Sequence, residues 1–266
     1  MSKAYTREDL ESYRPLEFII VLGSAGSGKS HAILDVAEAW QDLKPSGTVY
    51  ILDIEEGIRK IWKEEFPDVH NIKMWHAGGD LKDIDDFLEV FNEIWPQCKA
   101  TDWLCIESDT KVWDWSQDNA WLRVTGQRKD AYLSSRLAKT AGGKSSPVTP
   151  QPDYLWQVAL NYYRRQFRDV LVNEVRHKTN VFITTGVSPK SPRVSLGRKD
   201  SMAFLGITDI VADGHSENVR NPDSVALLTS EGEDFWAFVL KDRGHKQRRR
   251  FRVDNFWLDF VNSRTA

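Results

Sequence analysis

Between the apolar run Phe18-Ile19-Ile20-Val21-Leu22 and a helix-spaced segment from His31 to Leu43 lies Gly23-Ser24-Ala25-Gly26-Ser27-Gly28-Lys29-Ser30, a full match to G-x-x-x-x-G-K-[ST]. A strand, a glycine loop and a helix in that order leave the chain few folds to choose from. The continuous apolar strand must be covered on both faces. The glycines let the backbone curl until its N–H groups converge on one anion. The helix that follows points its positive dipole end at the same place. In this pattern Lys29 reaches the β- and γ-phosphates of a nucleotide and the Ser30 hydroxyl ligates Mg²⁺. Residues Gly23 to Ser30 are therefore expected to hold ATP with Mg²⁺.

The rest of the chain continues the alternation. Apolar runs at Val49–Ile54, Ile72–Trp75, Trp103–Ile106 and Val181–Thr185 read as strands. Helical spacing is found at Ile58–Phe66, Leu81–Trp95 and Tyr154–Lys178. Alternation of this kind predicts a parallel sheet with helices on both faces, a three-layer α/β domain. Later strands at 208–212, 224–229 and 235–240 are expected to add to the sheet edge in antiparallel fashion. The domain reading is a lead-in over 1–16, one core over 17–252 and a tail over 253–266.

Composition removes several alternatives. The only cysteines are Cys98 and Cys105, and the six histidines fall in no CxxC, HxxxH or HExxH spacing. A structural zinc site and a disulfide framework are thereby excluded. No run of about 18 apolar residues exists to span a membrane, and the first 15 residues carry no apolar signal core. A cytoplasmic location follows as the expectation, host cytoplasm if the gene is a phage's.

The formal net charge is −3, from 36 Lys+Arg and 39 Asp+Glu. That total conceals a segregation. Residues 122–152 hold six Lys/Arg against one Asp, 187–204 four against one, and 241–252 seven against one. These three segments carry +14 and the remainder −17. Such a division points to a polyanionic partner. Segments 122–152 and 187–204, rich in Gly, Ser and Pro, read as mobile basic loops.

Two strand ends offer carboxylates to a phosphate loop: Asp53-Ile54-Glu55-Glu56-Gly57 and Glu107-Ser108-Asp109. Ligands of parallel sheets bind at these carboxyl ends. The order of phosphate loop, Asp-x-Glu 26 residues after Lys29, and an apolar strand ending in acid-Ser resembles the RecA-like ATPases. The resemblance implies that Glu55 polarises the attacking water and that Glu107-Ser108 form the Walker B end. That family usually has Asp where Glu107 stands, so Asp109 is a rival for Mg²⁺. It also implies a nucleotide sensor at Thr185, where Gln is usual. Lys241 and Arg243 would be a pair reaching into a neighbouring subunit's nucleotide, acting with Lys29, Glu55 and Glu107. The small size resembles phage-encoded RecA-like proteins of recombination and single-strand annealing.

RecA-like recombinases bind DNA through loops after the Walker B and sensor strands, where the two basic segments fall. The implied contacts are Arg123, Arg128, Lys129 and Arg136 in the first, with Tyr132 to stack on a base. In the second they are Lys190, Arg193, Arg198 and Lys199, with Phe204. Trp113, Trp115 and Trp121 are expected to pack between subunits. The leading reading is a Mg²⁺-dependent, DNA-stimulated ATPase that assembles as a ring or filament on single-stranded DNA. The alternatives are a nucleoside or small-molecule kinase, and a nucleotide-gated DNA-binding module with little turnover.

Overall fold

The computed structural model describes residues 16–141, 152–189, 210–213, 218–243, 245 and 249–264. The strands are β1 (Phe18–Gly23), β2 (Val49–Asp53), β3 (Ile72–His76), β4 (Trp103–Glu107), β5 (Asn180–Thr185), β6 (Val187–Pro189), β7 (Ile210–Ala212), β8 (Ser224–Glu231), β9 (Asp234–Asp242) and β10 (Arg249–Arg252). The helices are α1 (Lys29–Leu43), α2 (Ile58–Glu65), α3 (Ile84–Ile94), α4 (Asp109–Thr125), α5 (Lys129–Ala141), α6 (Pro152–Tyr163), α7 (Asp169–Asn173) and α8 (Phe256–Asn262). Eight strands form one sheet in the order β10-β9-β8-β1-β5-β4-β2-β3, and β6 pairs with β7 apart from it.

The expected three-layer α/β core with a mostly parallel sheet is what forms. Alternate residues of the inner strands supply two separate cores, as the period of two requires. Phe18, Ile20 and Leu22 join Leu104, Ile106, Val181 and Ile183 beneath Phe87 and Phe91 of α3, Tyr163 and Phe167. Ile19 and Val21 join Ile51, Trp103, Cys105 and Phe182 against Ile33, Val36 and Ala37 of α1. Both faces are dry, so these strands read as unbroken apolar runs. Replacing Phe182, fully buried at the sheet centre, by Ala costs about 3–5 kcal/mol.

Five expectations need correction. β8 is not an antiparallel edge strand: it pairs parallel with β1, Ile19 opposite Ser224. Its first residues, Ser224 to Ala226, are buried on both sides, the surroundings of an inner strand. Only β9 reverses against its neighbours in the described sheet. Second, residues 122–141 are not a loop, because α4 runs on to Thr125 and α5 spans Lys129–Ala141. Trp121, Leu155 and Ala159 bury one face of this pair. Third, the segment after 252 belongs to the core. Phe256, Trp257 and Phe260 of α8 pack on α1, with Trp40, Trp103 and Trp257 meeting edge to face at 5.2–6.1 Å.

Fourth, the long helix expected over Tyr154–Lys178 is broken by a π turn at Arg164–Arg168. Tyr163, Phe167, Leu171 and Val175 are all buried. That four-residue repeat outruns the 3.6 residues of an α-turn and would drift off the core face. A wider π turn absorbs the excess. Fifth, α3 begins at Ile84 rather than Leu81 because Asp83 caps it, accepting from the N–H groups of Asp85 and Asp86 at 2.9 and 3.1 Å. Such a cap contributes about 1 kcal/mol. No described helix is long and apolar enough to cross a membrane.

Candidate functional site

At the carboxyl edge of the sheet, β1 runs straight into the glycine loop. Gly23 is a steric requirement: a Cβ there would stand 2.1 Å from Ser27 Oγ. Gly28 adopts φ +89°, which side-chain-bearing residues rarely take, and Phe235 of β9 lies against it. Lys29 Nζ donates to the Gly23 and Ser24 carbonyls, both at 2.9 Å, so the ammonium sits inside the curl of the loop. Burial lowers its pKa, opposed by the carboxylates of Glu55, Glu107 and Asp213.

The Ser30 hydroxyl donates to Glu107 Oε1. Glu107 is 2 % exposed, and its Oε2 has no hydrogen-bond partner. Asp53, fully buried, stands opposite Glu107 in the β2–β4 register. It accepts from Gly57 N at 3.2 Å and Ile58 N at 3.1 Å, at the head of α2. Burial pushes the Glu107 carboxyl up to about 8; the Ser30 bond opposes this, while the nearby Asp53 and Glu55 charges add to it. Burial also raises Asp53, against the pull of the α2 N–H groups. Two carboxyls side by side cannot both ionise cheaply without a cation.

A hydroxyl touching a buried carboxylate that has one oxygen unpartnered fits an oxygen-preferring divalent cation. Mg²⁺ is commonly held by few protein oxygens plus substrate phosphates. Asp109 is placed elsewhere: it accepts from the Tyr163 hydroxyl at 2.5 Å, among Phe18, Ile20 and Leu171 on the α6 side of the sheet. The structure thus brings Glu107, and not Asp109, against Ser30. Glu55 is exposed at the start of the turn after β2. Thr185 is buried, its hydroxyl 3.0 Å from that of Thr110, which also accepts from Gly186 N at 3.0 Å. This ties the end of β5 to the first turn of α4.

Beside the loop lies a cleft of about 210 Å³ bordered by Gly28, His31, Asp35, Phe66, Phe235 and Asn255. The His31 and Phe66 rings meet edge to face at 5.9 Å. Asp35 is held in place by accepting from Phe256 N at 2.8 Å, and burial pushes its carboxyl up to about 6.

The Lys241–Arg243 pair is not placed as expected. Lys241 lies level with Val225 at the start of β8, at the opposite end of the sheet from the phosphate loop. Its ammonium is turned into its own subunit, donating to the Arg220 carbonyl at 2.7 Å and the Pro222 carbonyl at 2.5 Å. Burial, and then the Arg243 charge, hold its pKa down to about 8. Arg243 pairs with Asp223 at 3.1 Å.

The first basic segment is also partly engaged. Arg123 forks onto Asp85 at 3.1 Å and lies over the Tyr162 ring. Lys129 donates to Gln117 at 3.0 Å and approaches Asp114 at 3.5 Å. Arg128 is exposed at the α4–α5 turn and Arg136 is half-buried. Tyr132 is buried with Trp121, which leaves it no face for a base, and Trp121 packs on Trp156 of its own chain. Lys190, Arg193, Arg198, Lys199 and Phe204 lie outside the described residues.

Sequence reasoning missed Asp213 and Phe235. Asp213 follows β7, its N–H donates to the Gly186 carbonyl at 2.9 Å, and its charge acts on Lys29. No spacing in the chain marks it, because only the β6–β7 pairing carries it to the loop. Phe235 reads as an ordinary strand residue until the β8–β9 hairpin lays it on Gly28.

No protein-family model matches the chain, and no curated protein sequence matches it. Among solved structures, that of the RadB recombinase is similar over 91 % of this chain and 89 % of that chain, at 11 % identity and a TM-score of 0.48.

Proposed function

We propose that the chain binds and hydrolyses ATP with Mg²⁺ and acts, as a RecA-like oligomer, on single-stranded DNA in recombination, annealing or replication. The observation that carries the nucleotide part is the Ser30–Glu107 contact beside Lys29, inside a complete phosphate loop. Residues Gly23 to Ser30 cradle the phosphates with N–H groups, and the Lys29 ammonium exchanges its two carbonyl partners for phosphate oxygens. Ser30 and Glu107 hold Mg²⁺, which when bound neutralises charge on the β- and γ-phosphates. Glu55 orients the attacking water from the exposed turn. The cleft under Phe235 takes the base. Thr185, tied to α4, is the residue through which the end of β5 senses the nucleotide.

The DNA part rests on the basic segments. Arg128 and Arg136, with Lys190, Arg193, Arg198 and Lys199, are its remaining support, while Arg123 and Lys129 are held by carboxylates and a glutamine. The in-trans role of Lys241 is not carried forward. Hydrolysis measured with and without single-stranded DNA, together with sedimentation, tests the reading. DNA-stimulated turnover by an oligomer is expected. Phosphate transfer to a nucleoside by a monomer would replace it with a kinase, and DNA binding without turnover would make it a nucleotide-gated module.

A further inference from the structure

A second groove, of about 500 Å³, opens on the far side of the turn that carries Glu55. It runs between the outward face of α2 and the turn after β3. Arg59, Lys60, Lys63 and Glu64 line one wall and His76, Ala77 and Gly78 the other, with Glu56 at the head. All three cations are exposed. Glu56 stands one turn before Lys60, yet neither it nor any other described carboxylate comes within ion-pair distance of these three. The ion pairs of the described chain are made elsewhere, at Asp85, Asp223, Asp242 and Glu231 among others. Arg59 and Lys63 face each other at i and i+4, a like-charge pair that costs an isolated helix about 0.2–0.5 kcal/mol. Glu56 adopts φ +59° and its carboxylate lies beside Gly78. Three exposed cations without a close ion pair among the described residues thus border, with Glu56 and Glu64, a space large enough for a nucleotide unit at the carboxyl edge of the sheet.

We infer that this groove is a second phosphate-binding site, distinct from the glycine loop, that takes phosphodiester or phosphate groups through Arg59, Lys60 and Lys63. The chemistry is that of a nucleic-acid backbone or of a small free phosphate. A flat guanidinium and two ammonium groups, each free to turn toward solvent, match phosphate oxygens without reading a base. The inference does not depend on ATP hydrolysis, since none of the three residues touches the glycine loop.

The test uses Arg59→Gln/Lys60→Gln/Lys63→Gln, which keeps helix-forming side chains of similar length, in a Lys29→Ala background so that the first loop does not contribute. Lys82→Gln/Lys99→Gln/Arg165→Gln, in the same background, removes three exposed charges elsewhere. Binding of a dye-labelled oligothymidylate is measured against salt, and binding of inorganic pyrophosphate by calorimetry. The groove variant should lose at least tenfold in oligothymidylate affinity at low salt. Its log–log salt slope should fall by about 2, the release expected from three single-strand phosphate contacts. The control should hold both values. Loss of pyrophosphate binding alone assigns the groove to a small phosphate ligand. Unchanged binding of both probes, or an equal loss in the control, overturns the inference. Absence of ATP binding by the wild-type chain would instead overturn the nucleotide reading and leave these two measurements intact.

Discussion

The Ser30 hydroxyl donates to Glu107, joining the first turn after the glycine loop to the end of β4 across 77 residues of chain. Neither residue is distinctive alone. Their contact is what turns a loop that can hold phosphate into a corner that can also hold a cation. Ser30→Ala should therefore leave nucleotide binding without Mg²⁺ nearly intact and reduce its enhancement by Mg²⁺ on the order of 10–100-fold. Titration of a fluorescent ATP analogue with and without Mg²⁺ reads the difference; equal losses in both would dissolve the link between Ser30 and the metal.

Glu107→Gln should stabilise the protein while impairing Mg²⁺ use. The folded-state value of about 8 is raised above the ordinary 4.5 by burial. The folded form then binds more protons than the unfolded one between those values, so wild-type stability falls as pH rises through that window. Gln does not titrate. Its melting temperature should match the wild type near pH 4.5 and exceed it increasingly toward pH 8, as followed by thermal melts in buffers free of divalent ions. A difference independent of pH would show that Glu107 is not the titrating group.

Glu55→Gln should abolish turnover, by about 10²–10⁴-fold, without weakening ATP binding. Single-turnover hydrolysis and equilibrium binding separate the two. Loss of both together would make Glu55 a binding residue.

Asp242 anchors the C-terminal end of the chain to the sheet. It accepts from Ser224 at 2.9 Å, Arg249 at 2.6 Å and Arg264 at 3.1 Å, all largely out of solvent. Despite burial, these partners hold its carboxyl below the usual range. Its contribution is present above the unfolded value of 3.8 and is lost as pH falls through the lower folded value. Asp242→Asn removes the carboxylate that Arg249 and Arg264 share, while Arg264 keeps its pair with Glu17, and should cost about 1–3 kcal/mol in urea unfolding at neutral pH. The difference from wild type should shrink in acid.

Lys241→Ala should act on stability. It leaves the Arg220 and Pro222 carbonyls without their donor, a loss of about 1–3 kcal/mol. Mixing Lys241→Ala with Lys29→Ala subunits should not restore ATPase activity. Recovery in the mixture would return Lys241 to a role in a neighbour's site.

What the sequence made legible was local. β1, β2, β4 and β5 announce themselves because both faces are dry, and the glycine loop because its residue types are dictated by the anion. The partnership of Glu107 with Ser30 follows from strand ends meeting at one edge, and that much was readable. Asp109 was ambiguous because two positions separate it from Glu107, and only the turn into α4 decides that it faces Tyr163. α4 and α5 were hidden by a basic, glycine-containing composition whose apolar residues, Trp121 and Tyr132, pack on α6 rather than on the sheet. Lys241 misled because a Lys-x-Arg spacing says nothing about which way a strand end turns. Asp213 and Phe235 had no signal, since their neighbours are brought by pairings far apart in the chain.

The middle position of β1 bears on how the chain comes into being. Its hydrogen-bonding neighbours are β5 and β8, both more than 150 residues later in the chain. Until Thr185 has been made, the apolar run of β1 has no sheet edge to pair with, and its second edge waits for Leu228. The cleft beside Gly28, which also needs Asn255, is completed later than either strand. Assembly is therefore slow by topology.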